Sequence, residues 1–340
     1  MYGPSQIAKR ALQGGAALLL ALFLCAPAVA VAAGVTADAA GARMLVPVGH
    51  TVGIKLFSRG VVVIKLSDGG TPARECGLRT GDIIVSCGGT AVTSTEQFQA
   101  LLQENGDAAT DLQVRRDGGS MTLSVEPAQN DQGSYCIGAW IRDSMAGIGT
   151  MTYYDPATGD FGALGHGITD VDTAQLMPFS NGSILPSTVK AVKKGEAGAA
   201  GELRGDFDLT CDLGELHANT DSGVFGTLAE EDYGPVQGDA VPVGTARPGG
   251  AVIRSNVEGD AVREYEIEIL KVVPNAADGR DMVLSVTDPA LIAATGGIVQ
   301  GMSGSPILQD GALVGAVTHV LLNDPTKGYG ILIENMLEAA

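Results

Sequence analysis

Residues 301–306 read Gly301-Met302-Ser303-Gly304-Ser305-Pro306, and no other stretch of the chain is better suited to covalent chemistry. Glycines around a serine permit a tight turn and leave room for an incoming substrate. Such a turn ahead of a strand, here Leu313-Val314-Gly315-Ala316-Val317, presents the hydroxyl and aims backbone N–H groups at one point. Attack of Ser303 on a carbonyl carbon would leave its anionic oxygen there, and the donors expected are the amides of Gly301 and Ser303.

A serine hydroxyl is a weak nucleophile until a base takes its proton, and histidine is the usual base. The sequence offers His50, His166, His217 and His319. His166 stands in Ala163-Leu164-Gly165-His166-Gly167, where flanking glycines predict a turn that opens the ring to a cleft. It is the expected base, with His319, at the end of a strand beyond the serine, as the alternative. A carboxylate should orient the imidazole. Asp170 and Asp172 are close to His166 in sequence, and Asp288 precedes Ser303 by fifteen residues (303 − 288). Residue types alone leave the choice among the acids open.

The frame that must hold these groups is β-rich. The chain has 340 residues, 45% hydrophobic but only 4% aromatic, and 48 are glycine. That mix suits small β domains with many tight turns, and the length allows two domains after a targeting segment. A formal net charge of -18 repels phosphate backbones and argues against nucleic-acid binding. Lys9 and Arg10 precede an apolar run over residues 16–33. Residues 1–33 are therefore expected to be a signal peptide or a membrane anchor, with the rest of the chain exported. Residues 34–43 read as a linker. Five scattered cysteines form no Cys-x-x-Cys pair, and neither a metal nor an organic cofactor is implied.

Residues 44–128 alternate short strands and turns. Val61-Val62-Val63-Ile64 and Asp82-Ile83-Ile84-Val85 are β-branched runs, and Phe98, Leu101 and Leu102 share a face of a helix predicted over 95–103. Gly53-Ile54-Lys55-Leu56 resembles the carboxylate-binding loop of PDZ domains. Pro72-Ala73 and Gly77-Leu78-Arg79-Thr80-Gly81-Asp82-Ile83-Ile84 resemble the signature that follows that loop. PDZ domains add an extended peptide as a strand. The resemblance thus implies peptide C-termini, or this chain itself, as ligands of Gly53, Ile54, Lys55 and Leu56.

Residues 133–340 continue as strands, with Tyr265, Ile267 and Ile269 alternating with Glu264, Glu266 and Glu268. The setting of Ser303 is similar to that of chymotrypsin-like peptidases. The expected fold is mainly β: a small α+β PDZ domain followed by a chymotrypsin-like, all-β peptidase domain of the double-barrel type.

Three longer motifs sharpen this. Gly165-His166-Gly167-Ile168, the run from Thr295 through Pro306, and Gly315-Ala316-Val317-Thr318-His319-Val320 resemble the stage IV sporulation protein B (SpoIVB) serine peptidases. So do Asn323-Asp324-Pro325-Thr326 and Gly328-Tyr329-Gly330. The resemblance assigns Ser303 as nucleophile, His166 as base and Asp288 as orienting acid. It implies an exported endopeptidase of the space between the two forespore membranes. Such an enzyme cleaves itself and cuts a membrane-bound regulator, so that an intramembrane protease can activate a late sporulation sigma factor. A catalytically silent PDZ-containing scaffold is the alternative. An esterase of the Gly-x-Ser-x-Gly type is disfavoured because Ser305 stands where the second glycine is needed.

Overall fold

β-branched and alternating runs become long strands here, and glycines mark where those strands bend. The computed structural model describes residues 43–229, 234–274, 276 and 278–340. The signal or anchor expected over 1–33 and nearly all of the linker lie outside them. The principal strands of the first part are β1 (Thr51–Leu66), β2 (Ile83–Cys87), β3 (Thr110–Arg116), β4 (Gly119–Val125) and β5 (Ala139–Tyr154). They are followed by β6 (Asp160–Ala163), β7 (Phe179–Lys193), β8 (Gly214–Thr220) and β9 (Gly223–Leu228). Then come β10 (Gly249–Ser255), β11 (Arg263–Val272), β12 (Met282–Val286), β13 (Pro306–Gln309), β14 (Ala312–Val320) and β15 (Lys327–Leu332). Three helices matter: α1 (Thr95–Asn105), α2 (Pro289–Thr295) and α3 (Ile333–Ala339).

Two barrels result. Strands β5, β6, β9, β8, β7 and β1 pair in that order, and the β1–β5 ladder joins the ends into a ring. Strands β10, β11, β12, β15, β14 and β13 form a closed barrel. Each has its own apolar interior. Val52, Ile54, Met151, Phe161, Ile184 and Val224 fill the first. Ile253, Ile267, Leu284, Ile307 and Val317 fill the second. Burial of such side chains stabilises each by about 1.5–3 kcal/mol before entropy is counted against it. A third cluster, including Tyr153, Phe225, Ala316, Ile331 and Met336 of α3, joins the two barrels. The predicted double-barrel peptidase with a small α+β domain is the architecture found.

The PDZ region is an insertion into the first barrel rather than a bead ahead of it. β1 and β5 each run sixteen residues and pair along their length, from Thr51 opposite Thr150 to Leu66 opposite Ala139. Their outer halves leave the barrel together, and the later half of β1 continues into a sheet with β2, β3 and β4. Val61, Val63, Ile84, Phe98, Leu102, Leu112 and Val114 form its core, and Ile137 closes it. The ladder shifts register between Val63 and Lys65 and, more widely, between Phe57 and Val62. There Gly60 (φ 94°) lies so close to β2 that an added Cβ would stand 2.5 Å from the Ile84 carbonyl oxygen. Only glycine fits such a bend.

This placement corrects two expectations. Gly53, Ile54, Lys55 and Leu56 are not a loop. They lie inside β1, paired on one edge with β5 (Ile148 to Met145) and on the other with β7 (Leu185 to Gly182). Both edges of the backbone are occupied, so no carboxylate can be received there. For the same reason the small domain does not begin at residue 44. Its core starts near Val61 and ends with the first residues of β5, while the earlier half of β1 belongs to the barrel.

Candidate active site

The facing sides of the two barrels enclose a cleft of about 1210 Å³, and His166, Ser303, Thr318 and His319 line it. Ser303 sits in the turn before β13. Gly301 (φ 96°) and Gly304 (φ 95°) flank it in the left-handed region. The need at Gly304 is steric as well, because a Cβ there would stand 2.0 Å from the Thr150 carbonyl oxygen. The Gly301 and Ser303 N–H groups have no acceptor among the described residues. The neighbouring amides are taken: Met302 donates to Val299 at 3.1 Å and Gly304 to Val317 at 2.8 Å. Two free donors therefore stand on the serine turn, at Ser303 itself and two residues before it, a donor pair of the kind an anionic oxygen requires.

Ser303 Oγ donates to the carbonyl oxygen of Thr318 at 2.8 Å. His166 lies after β6, on a turn in which Leu164 (φ 68°) and Gly165 (φ 70°) are both left-handed. A non-glycine residue there stores backbone strain, which functional sites commonly carry. Nδ1 of His166 is 2.9 Å from the Gly167 carbonyl oxygen, a contact that places a proton on Nδ1 and leaves Nε2 as the lone-pair nitrogen. Burial lowers the pKa of His166 below its ordinary value, with the Gly167 carbonyl opposing in part. The ring of His319, on β14, stands 5.1 Å from that of His166, centroid to centroid. Burial first, then the charges of His166 and Arg280, push the pKa of His319 down to about 4. Both rings are therefore neutral near pH 7, the form a base must have.

Asp288 is not brought to this pair. It is the N-cap of α2: Oδ1 accepts from the amides of Ala290 (2.8 Å) and Leu291 (3.0 Å), and Oδ2 from that of Glu266 (3.3 Å). An aspartate before a proline at the first helical position is a strong capping signal. That local role competes with the orienting role the family resemblance assigns. Asp170 and Asp172 are also engaged elsewhere, both paired with Arg142 on β5. Among the described residues, His166 is oriented by a backbone carbonyl rather than a carboxylate.

Two positioning residues carry no sequence motif. Thr150 of β5, fully buried, donates its N–H to the Ser303 carbonyl (2.9 Å) and its Oγ1 to the Gly301 carbonyl (2.7 Å). Its own carbonyl accepts from Leu164 at 3.1 Å, so one residue ties the serine turn to the histidine turn. Asn219 of β8 accepts from the Ile168 amide (2.8 Å) and donates to the carbonyls of Ile168 (3.0 Å) and Met177 (3.1 Å). It staples the loop that follows His166. Only contacts reveal either residue, since threonine and asparagine are ordinary in strands and turns.

A family model, SpoIVB peptidase S55, matches residues 133–337. The chain belongs to this family. The family is one of serine peptidases, and the match takes in Ser303, His166 and the strands of both barrels that border the cleft. A PDZ-domain model matches residues 63–116, the part whose core starts near Val61. Among curated proteins, a putative zinc metalloprotease of Lactococcus lactis is 34% identical over 102 residues, covering 30% of this S55 peptidase and 22% of the relative. Serine protease HTRA1 of Xenopus tropicalis is 39% identical over 59 residues, covering 17% and 13%. The peptidase spans less than a quarter of the length of these relatives. A PDZ domain of an SdrC-like protein from Listeria monocytogenes aligns at 20% identity and TM-score 0.23, covering 24% of this chain and 87% of that one.

No group of three or more metal-ligating side chains occurs among the described residues. Cys76, Cys87, Cys136 and Cys211 are free thiols. No described helix is long and apolar enough to cross a membrane.

Proposed function

We propose that the chain is an endopeptidase acting through an acyl-enzyme on Ser303, with His166 as its base and the Gly301 and Ser303 amides as oxyanion donors. One observation carries this reading. Ser303 and His166 share a cleft, and among the described residues the Gly301 and Ser303 N–H groups have no acceptor. His166 Nε2 takes the Oγ proton as Oγ bonds to the substrate carbonyl carbon, and the same proton then goes to the leaving amine. Water repeats the exchange to free the enzyme. The Gly167 carbonyl holds the ring and faces the imidazolium as it forms.

In the cell, the proposed substrates are this chain itself and a membrane-bound regulator of an intramembrane protease. Their cleavage activates a late sporulation sigma factor. The proposed place is the space between the forespore membranes, reached through the N-terminal apolar segment, with the PDZ domain selecting or holding the substrate.

A second reading, a silent PDZ scaffold, is favoured by the Ser303 hydroxyl resting on Thr318 rather than on His166. Intact mass after fluorophosphonate treatment separates the two. A single adduct on the wild type, absent in Ser303→Ala, supports the peptidase mechanism; no adduct on the folded wild type removes it.

A further inference from the structure

His166 and His319 reach the cleft from different barrels, the first on the turn after β6 and the second on β14. Their ring centroids are 5.1 Å apart and the ring planes are tilted by 38°. Nδ1 of His166 is engaged by the Gly167 carbonyl, which leaves the lone pair on Nε2. The Ser303 hydroxyl does not cover that nitrogen at rest, because it donates to Thr318 instead. Nδ1 of His319 is shielded from water and bonds to nothing among the described residues. A buried polar nitrogen without a partner is costly to keep. Two imidazoles thus stand side by side with bonding capacity that the protein leaves unused.

Imidazole nitrogens suit zinc and the transition metals near it, and zinc binds them at about 2.0–2.1 Å in tetrahedral geometry. Each ring centroid then lies about 3.2 Å from the ion, and the tetrahedral angle sets the two centroids about 5.2 Å apart. The separation of 5.1 Å matches that spacing. We propose that His166 and His319 form a two-histidine site for zinc, which switches the peptidase off by occupying the Nε2 lone pair that would take the Ser303 proton. Water fills the remaining positions on the ion. Asp278 lines the same cleft and adds a negative charge. The nearby cation, Arg280, is held by Asp278 at 3.6 Å and stacks over the Tyr329 ring at 4.9 Å. A formal net charge of -18 draws cations of every kind, but magnesium and calcium seek oxygen and gain little from two imidazoles. The ion is an inhibitor and not a cofactor, since it competes with the Oγ proton for one lone pair. The inhibition rests on His166 being the base. The binding does not, and the test keeps the two apart.

Zinc binding is measured first by calorimetry on folded Ser303→Ala, which needs no activity. This protein should bind one equivalent more than Ser303→Ala/His319→Gln; equal stoichiometry overturns the site, whatever the thiols take up. Fluorophosphonate labelling of the wild type then reads the effect. Saturating zinc should slow labelling at least tenfold, and a chelator should restore it. The same zinc should slow His319→Gln less than threefold against its own zinc-free rate. Undiminished labelling of the wild type in zinc, or equal slowing of both proteins or by magnesium, overturns the inhibition. A wild type that takes no label without zinc removes Ser303 as nucleophile and leaves calorimetry to decide the site. Where His319→Gln fails to fold, the wild type is labelled with ¹⁵N-histidine and titrated with zinc. Ring-nitrogen resonances of two histidines shifting together support the site; a shift of one ring or of none overturns it.

Discussion

Ser303 Oγ is hydrogen-bonded to the carbonyl oxygen of Thr318 at 2.8 Å, so the resting hydroxyl is aimed at β14 and must rotate to meet His166. Loss of that bond costs about 1 kcal/mol, a small part of an activation barrier. Ser303→Ala should therefore fold with nearly the wild-type unfolding midpoint while losing cleavage by about 10⁴-fold or more. Turnover at the wild-type rate would take the nucleophile away from Ser303.

His50, His166 and His319 all have pKa values lowered by burial, His319 to about 4. For such a group the folded protein holds fewer protons than the unfolded chain below the unfolded value of 6.5. The contribution is fully present above pH 6.5 and is lost as pH falls toward the folded value. The unfolding midpoint should drop between pH 7 and pH 5. His319→Gln should flatten that dependence. Because the neutral form of His166 is the base, kcat/KM should hold at pH values below 6.5 before it declines. A decline centred at or above 6.5 would contradict the burial of the ring.

Asp288 makes a sharp contrast possible. Asparagine caps helices as well as aspartate does, whereas alanine loses the cap at a cost of about 1 kcal/mol. Asp288→Asn is expected to keep both stability and kcat/KM, and Asp288→Ala to lose stability chiefly. A loss of a hundredfold or more in kcat/KM for Asp288→Asn, at an unchanged unfolding midpoint, would return this carboxylate to the His166 ring.

Asn219 holds the loop after His166 through three hydrogen bonds with little exposure to water. Asn219→Ala leaves the Ile168 amide and two carbonyls short of partners, at a cost of about 1–3 kcal/mol for a buried group. The expected result is a lower unfolding midpoint and a fall in kcat/KM larger than in Ser303 labelling by a small fluorophosphonate. An unchanged kcat/KM would mean that the loop is held by β6 alone.

Much of this architecture was legible in the residues. The alternation of Tyr265, Ile267 and Ile269 with glutamates became β11, and the glycine-flanked Ser303 and His166 do share a cleft. What could not be read was pairing. Gly53 to Leu56 carry a loop-like pattern, yet their partners on β5 and β7 lie about ninety and a hundred and thirty residues away. Asp288 shows the same limit from the other side. The family resemblance assigns it as the orienting acid, whereas the adjacent Pro289 marks it as a helix cap. Thr150 and Asn219 act through contacts alone and left no pattern to find.

Phe57 and Ser144 face each other across the β1–β5 ladder, and everything between them in sequence forms the PDZ insertion and its two supporting half-strands. Opposed residues of an antiparallel pair are near enough for a two-residue turn to join them. The insertion can thus be excised at the level of the gene and replaced by a hairpin, with the six-stranded ring still shut. The small domain thus rides on the far end of one barrel hairpin, and the barrel closes through strands that lie outside it.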